Sequence, residues 1–170
     1  MVVLGIDPGY AIVGYGGVEF YGNKYHVTGY GAIETKAGVP FNVRLEHIFN
    51  EMNGVIDRCK PDVMAIEKLY FQNNQKTAID VAQARGVILL SAQLKGLPIF
   101  EYTPLQVKTA VTGYGQAKKA QVMDMTKRLL KLEKMPRLDD TADALAIAIC
   151  HTQANGSALR EFLHNRGVRT

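Results

Sequence analysis

Four carboxylates stand where the chain pattern suits chemistry better than solvation: Asp7, Glu67, Asp140 and Asp143. Asp7 ends the apolar run Val2 to Ile6, and Glu67 ends the run Val63 to Ile66. Asp140 and Asp143 are three positions apart, so on a helix they share a face. In an open sheet with parallel strands, ligands collect at the carboxyl ends of the strands, where Asp7 and Glu67 are expected. Several acids in one poorly solvated cleft repel one another and rise in pKa unless a divalent cation compensates. All-oxygen donors, with no His or Cys spacing beside them, favour Mg²⁺ or Mn²⁺ over Zn²⁺. Two such ions roughly 3.5 to 4 Å apart are the usual device for activating water and stabilising the leaving oxygen in phosphodiester hydrolysis.

Each acid also has a plainer reading. Asp7 precedes Pro8-Gly9 and fits an ordinary turn. Asp139 and Asp140 suit the start of a helix, Asp139 as the better N-cap. Glu67 is harder to explain away, because it follows Val-Met-Ala-Ile directly. Asp143 is too far into its helix to cap it and is followed by the apolar stretch Ala144 to Cys150.

The elements that must position these acids can be read from periodicity. Val2 to Ile6, Ala11 to Phe20 and Lys24 to Thr35 read as strands, the last two joined as a hairpin through Tyr21-Gly22-Asn23. Pro40 to Cys59 has the helical spacing of a half-buried face and is stopped by Lys60-Pro61. Asp62 to Glu67 reads as a buried strand, Thr77 to Leu94 as a helix and Pro98 to Tyr102 as a strand. A short helix over Thr103 to Val111, a glycine-bearing loop, a helix over Lys118 to Leu132 and a last helix over Asp139 to Gln153 follow. This order predicts a three-layer α/β/α domain on a mixed five-stranded sheet over residues 1–154, with a polar, mobile tail over residues 155–170.

With 170 residues, 47% of them hydrophobic and 21% charged, the chain reads as one globular domain rather than a disordered or fibrous protein. No apolar run reaches the length of a membrane helix and the N-terminus has no signal-peptide pattern, so a soluble, cytoplasmic protein is expected. Cys59 and Cys150 lack zinc or redox spacing and read as reduced, buried filler. The net charge of +4 is unevenly spread, since the stretch Thr103 to Arg137 alone carries +6 and the remainder −2. One basic flank suits a partner with a phosphate backbone.

Taken together, GIDPG at the start, AIEKLYF after the fourth strand, AQARG at 82–86, GYGQAKK at 113–119 and DDTADALAIAICH at 139–151 resemble the RuvC family of Holliday-junction resolvases. The resemblance spans nearly the whole chain. It implies an RNase H-like fold, a homodimer, and nicking of four-way DNA junctions in recombination and repair, with 5′-phosphate and 3′-hydroxyl ends. It further implies two Mg²⁺ ions per subunit, with Mn²⁺ as a possible substitute, and the RuvA–RuvB branch-migration complex as partner. The acids carried over are Asp7, Glu67, Asp140 and Asp143; Asp139 falls outside the pattern. Lys108 and Lys119 match basic positions near the scissile phosphate, with Lys118 an added charge beside the second. Solvated surface lysines are the competing explanation. Tyr70 and Phe71, in a loop continuing QNNQK, suit stacking on unpaired bases or anchoring of the loop, and the family places its stacking aromatic at Tyr70.

Three other functions remain in view. An actin-like or sugar-kinase-like ATP-binding protein would need a second phosphate loop and a second subdomain, for which the chain has no room. A small RNase H-like nuclease acting on RNA or linear DNA is a nearer rival. A catalytically idle DNA-binding module is disfavoured by the presence of all four acids. For the homodimer, the helix Thr77 to Leu94 is the candidate interface, because Ile79, Val81, Ala82, Val87, Ile88, Leu89 and Leu90 give it more apolar surface than one buried face needs; burial of the helix within the monomer is the competing explanation.

Overall fold

The computed structural model describes residues 1–69 and 75–154. Strand β1 (Val2–Asp7) pairs antiparallel with β2 (Ile12–Tyr21), which pairs antiparallel with β3 (Lys24–Glu34). Gly22 and Asn23 make the hairpin turn with φ of 56° and 60°, the left-handed pair that a two-residue connection favours. After helix α1 (Phe41–Cys59), strand β4 (Val63–Glu67) enters parallel to β1; after α2 (Gln75–Leu94), β5 (Ile99–Tyr102) pairs parallel with β4. Helices α3 (Pro104–Thr112), α4 (Lys119–Leu130) and α5 (Asp139–Ala154) follow. The sheet order is β3-β2-β1-β4-β5.

Side chains alternate across the sheet and so build two cores. Val3, Val63 and Ala65 meet α3, α4 and α5 on one face, while Leu4, Ile6, Met64 and Ile66 meet α1 and α2 on the other. The mixed five-stranded, three-layer α/β/α architecture expected from the sequence is present. Helix α5 is the most enclosed, with an unbroken buried stretch from Ala144 to Thr152.

Two expectations need correction. Helix α4 ends at Leu130 rather than Leu132, because Lys131 turns left-handed (φ 52°) and the Leu132 N–H returns to the Lys127 carbonyl at 3.0 Å. Cys150 is buried, with its thiol pushed up to about 12 by burial, but Cys59 is only half-buried; both are free thiols. Among the described residues, no helix is long and apolar enough to cross a membrane. Tyr70, Phe71 and the tail over residues 155–170 lie outside the described residues.

Candidate active site

Parallel pairing sets Ile6 beside Ile66, so Asp7 and Glu67 leave β1 and β4 as neighbours at the carboxyl edge of the sheet. Since Ile6 and Ile66 face α1 and α2, alternation turns the two acids toward the α5 side. Helix α5 lies against this edge at a separation that only glycine permits. A Cβ on Gly14, the antiparallel partner of Asp7, would collide with the Asp140 carbonyl oxygen, and one on Gly5 with the Ala144 carbonyl oxygen. Thr141 Oγ1 also donates to the Gly31 carbonyl at 3.0 Å, tying the start of α5 to β3. The first turns of α5 thereby bring Asp140 and Asp143 to Asp7 and Glu67.

The basic wall comes from α3 and α4. The sequence Thr-Pro-Leu-Gln starts α3 with a reciprocal cap: Thr103 Oγ1 accepts from the Gln106 N–H at 3.1 Å, and Gln106 Oε1 accepts from the Thr103 N–H at 2.8 Å. That cap sets the direction of α3 and places Lys108 on the cleft. Gly113, left-handed at φ 74°, ends the helix, and α4 begins at Lys119. Glu67, Asp143, Lys108 and Lys119 then share a cleft of about 270 Å³ with the apolar Val107 and Ile147. Lys118 is exposed and outside that lining; its backbone N–H donates to Gln121 Oε1 at 2.8 Å.

The electrostatics record crowding of like charges. Asp7 is pushed up to about 8 by burial and then by the charges of Glu67, Asp143 and Asp140, against the pull of Lys119. Glu67 is raised by burial and by Asp143, with Lys119 and Lys108 opposing. Asp143 is raised by burial, although Lys119 Nζ donates to its Oδ2 at 2.9 Å. Burial works against the charge on Lys119, but its bonds to Asp143 and Asp139 outweigh this and lift its pKa.

Among the described residues, no three His, Cys, Asp or Glu side chains form a ready metal-ligating group. Asp143 is engaged with the Lys119 ammonium, which acts here as the neutralising cation. The donor set nonetheless fits a hard divalent ion, because it is all oxygen and the pKa values of Asp7, Glu67 and Asp143 are raised by burial first and by their neighbouring like charges second, a repulsion that such an ion relieves.

Two contacts went unread in the sequence. Arg85 Nε donates to the Glu67 carbonyl at 3.3 Å while its Nη2 pairs with Glu101 Oε1 at 2.7 Å, so α2 clamps the ends of β4 and β5 beneath the site. An arginine within an apolar helix, needing a partner for its charge, was the available signal. Asp139, expected as the N-cap of the last helix, is itself the first residue of α5, and its Oδ2 lies 3.2 Å from Lys119 Nζ.

Known proteins are similar to this chain in sequence and fold. The family described as RuvC, crossover junction endodeoxyribonuclease, matches residues 3–151. RuvC of Brevibacillus brevis is 54% identical over 153 residues, covering 90% of this chain and 92% of its own. RuvC of Halothermothrix orenii is 56% identical over 151 residues, covering 89% and 92%. The solved structure of T. thermophilus RuvC in complex with Holliday junction substrate superposes with a TM-score of 0.86 at 35% identity, covering 91% of this chain and 94% of the other. The chain belongs to the RuvC family of crossover junction endodeoxyribonucleases, metal-dependent nucleases with an RNase H-like fold.

Proposed function

We infer that this chain resolves four-way DNA junctions as a two-fold dimer, each subunit nicking one of two opposed strands with two Mg²⁺ ions held by Asp7, Glu67, Asp140 and Asp143. The observation carrying this reading is the shared edge of β1, β4 and α5, where mutually repelling carboxylates face Lys108 and Lys119 across one cleft. When bound, the metal supplies Lewis acidity at the phosphate and lowers the pKa of a water. Lys119 and Lys108 steer and hold the phosphate and offset charge as it builds on the phosphoryl oxygens. Water attacks phosphorus, the bond to the 3′ oxygen breaks, and the strand is left with 5′-phosphate and 3′-hydroxyl ends. Lys118 adds a backbone contact at the rim, and Tyr70 and Phe71 stack on bases exposed at the crossover.

One subunit has acids for one site, whereas resolution takes two symmetry-related cuts, and a two-fold dimer supplies the second. Helix α2 provides the surface: Ile79, Leu90 and Leu94 are 66%, 51% and 66% exposed on the stripe that also carries Ala82 and Gly86. Residues 1–154 form the nuclease unit and 155–170 a tail appended to it. The protein acts in the cytoplasm, with the RuvA–RuvB complex as partner by family resemblance.

The test is to offer the purified protein, with Mg²⁺, a synthetic four-way junction, a matched linear duplex and an RNA–DNA hybrid. Paired nicks in the junction alone are expected. Cleavage of linear duplex or hybrid at a similar rate would favour the general RNase H-like nuclease instead.

A further inference from the structure

Lys119 is an awkward residue for its position. It opens α4, where the partial positive charge of a helix N-terminus disfavours a cation, and it faces the first turn of α5, a second such terminus. Two carboxylates compensate: Asp143 Oδ2 at 2.9 Å and Asp139 Oδ2 at 3.2 Å from the ammonium. The two acids are not equivalent. Asp143 lines the cleft with Glu67 and adds to the charge that crowds Asp7, whereas Asp139 is outside the lining and is the more exposed of the pair.

We propose that Asp139 is the positioning residue for Lys119, holding the ammonium at the rim of the cleft while Asp143 is committed to metal. This rests on the proposed role of Lys119 at the phosphate. Asp143 cannot give the same oxygen fully to a divalent ion and to Lys119. Once the metal takes it, the long lysine side chain would regain its rotamer freedom unless a second anion kept it in place. Asp139 is that anion, four residues earlier on the same helix and so on the same face, close enough to reach Lys119 and set apart from the cluster. A plain helix-start role explains an acid here, but not its approach to a lysine on another helix.

The experiment measures single-turnover junction cleavage at saturating protein and Mg²⁺, junction Kd, and thermal unfolding. The variants are Asp139→Asn, Asp139→Glu, Asp139→Ser, Lys119→Ala and the double variant Lys119→Ala with Asp139→Asn. Asp139→Asn should slow cleavage about three- to tenfold with Kd within about twofold, an effect on the transition state rather than on binding. Asp139→Glu should recover most of the rate. Asp139→Ser, which keeps a helix-start hydroxyl but no charge, should not. In the Lys119→Ala background, Asp139→Asn should cost less than about twofold further, since the two act as one unit. Multiplying effects, a faster Asp139→Asn enzyme, or a loss that follows the unfolding midpoint would overturn the proposal. A Lys119→Ala enzyme cutting at the wild-type rate would instead remove the role of Lys119, and the positioning role with it.

Discussion

Helices α5 and α2 are both apolar over much of their circumference, and the protein treats them in opposite ways. Helix α5 is enclosed by the sheet, α3 and α4, and is buried continuously from Ala144 to Thr152. Helix α2 buries Ala84, Ile88 and Ala92 against the sheet and α1 but leaves Ile79, Leu90 and Leu94 exposed. The same surplus of apolar residues thus encloses one helix within its own chain and leaves the other with an open apolar stripe, the surface proposed above for dimerisation. On this division, chemistry and pairing should break separately.

The largest effect should come at the α5 end. Asp7→Asn should lower junction cleavage by more than about a thousandfold while leaving junction affinity and dimerisation unchanged, because binding should depend mainly on basic side chains and the proposed pairing on α2. Cleavage within about tenfold of wild type would remove the acids from the mechanism.

The converse change lies on α2. Leu90→Glu places a charge on the exposed stripe and should give folded monomers of 18.7 kDa, where the proposed wild-type dimer should sediment at twice that mass. Junction affinity should fall by roughly a hundredfold as the second subunit's contacts are lost, and the two nicks should uncouple. A wild-type monomer that makes both cuts would defeat the comparison.

Glycine substitutions sharpen it through stability. Gly5→Ala drives a methyl into the α5 backbone at Ala144 and should cost about 1–3 kcal/mol or more of folding stability, read from denaturant midpoints. Gly86→Ala meets nothing within 4 Å in its own chain and should stabilise the isolated subunit by about 0.5–1 kcal/mol through helix propensity, yet weaken the dimer if a second helix approaches there. Equal behaviour of the two would contradict the assignment of faces.

The two ends should also differ in pH response. Burial and then the neighbouring acids push Asp7 up to about 8 from an ordinary 3.8, so across that interval this carboxyl holds its proton in the folded state more than in the unfolded one. The stabilisation is therefore complete below the ordinary value and is lost as pH rises through the folded one. Buried His151, whose pKa is lowered to about 4 by burial, gives the opposite slope below about pH 6.5, so in EDTA the unfolding midpoint should drop by a few degrees between about pH 7 and pH 8.5. Asp7→Asn should flatten this slope and Leu90→Glu should retain it. A metal-free midpoint that rises with pH would show that Asp7 is not held protonated by its surroundings.

Much of this was legible because the signals are local. The hairpin followed from Gly22-Asn23 between β-rich runs, the stop of α1 from Lys60-Pro61, and the acids at strand ends from apolar runs terminating in Asp7 and Glu67. What escaped depends on how elements cross. Gly5 and Gly14 read as unremarkable strand glycines until α5 is laid over them. The approach of Asp139 to Lys119 depends on two helix starts meeting, and no periodicity encodes it. The Arg85 clamp likewise joins an interior helical residue to the ends of two strands. The early end of α4 at a left-handed Lys131, with no glycine to announce it, was unreadable for the opposite reason: the backbone adopts a conformation that the residue type does not favour.

The smallest expected effect separates charge from chemistry along α4. Lys119 opens this helix at the cleft, and Lys131 caps its other end, about 18 Å away at 1.5 Å per residue. Lys131 lines a second cleft with Lys24 and Arg128, between the β2–β3 hairpin and the end of α4. It is too far from the carboxylates to take part in bond breaking, but a junction arm could reach it. Lys131→Ala should reduce the slope of log affinity against log salt by about one unit if the lysine contacts phosphate, while the cleavage rate at saturating protein stays at the wild-type value. Lys119→Ala should do the reverse, slowing cleavage more than it weakens binding. The cation at a helix C-terminus also favours the fold, so an unchanged salt slope with a lowered unfolding midpoint would assign Lys131 to α4 rather than to DNA. Parallel losses of rate and salt slope in both variants would erase the distinction and take with it the catalytic role of Lys119.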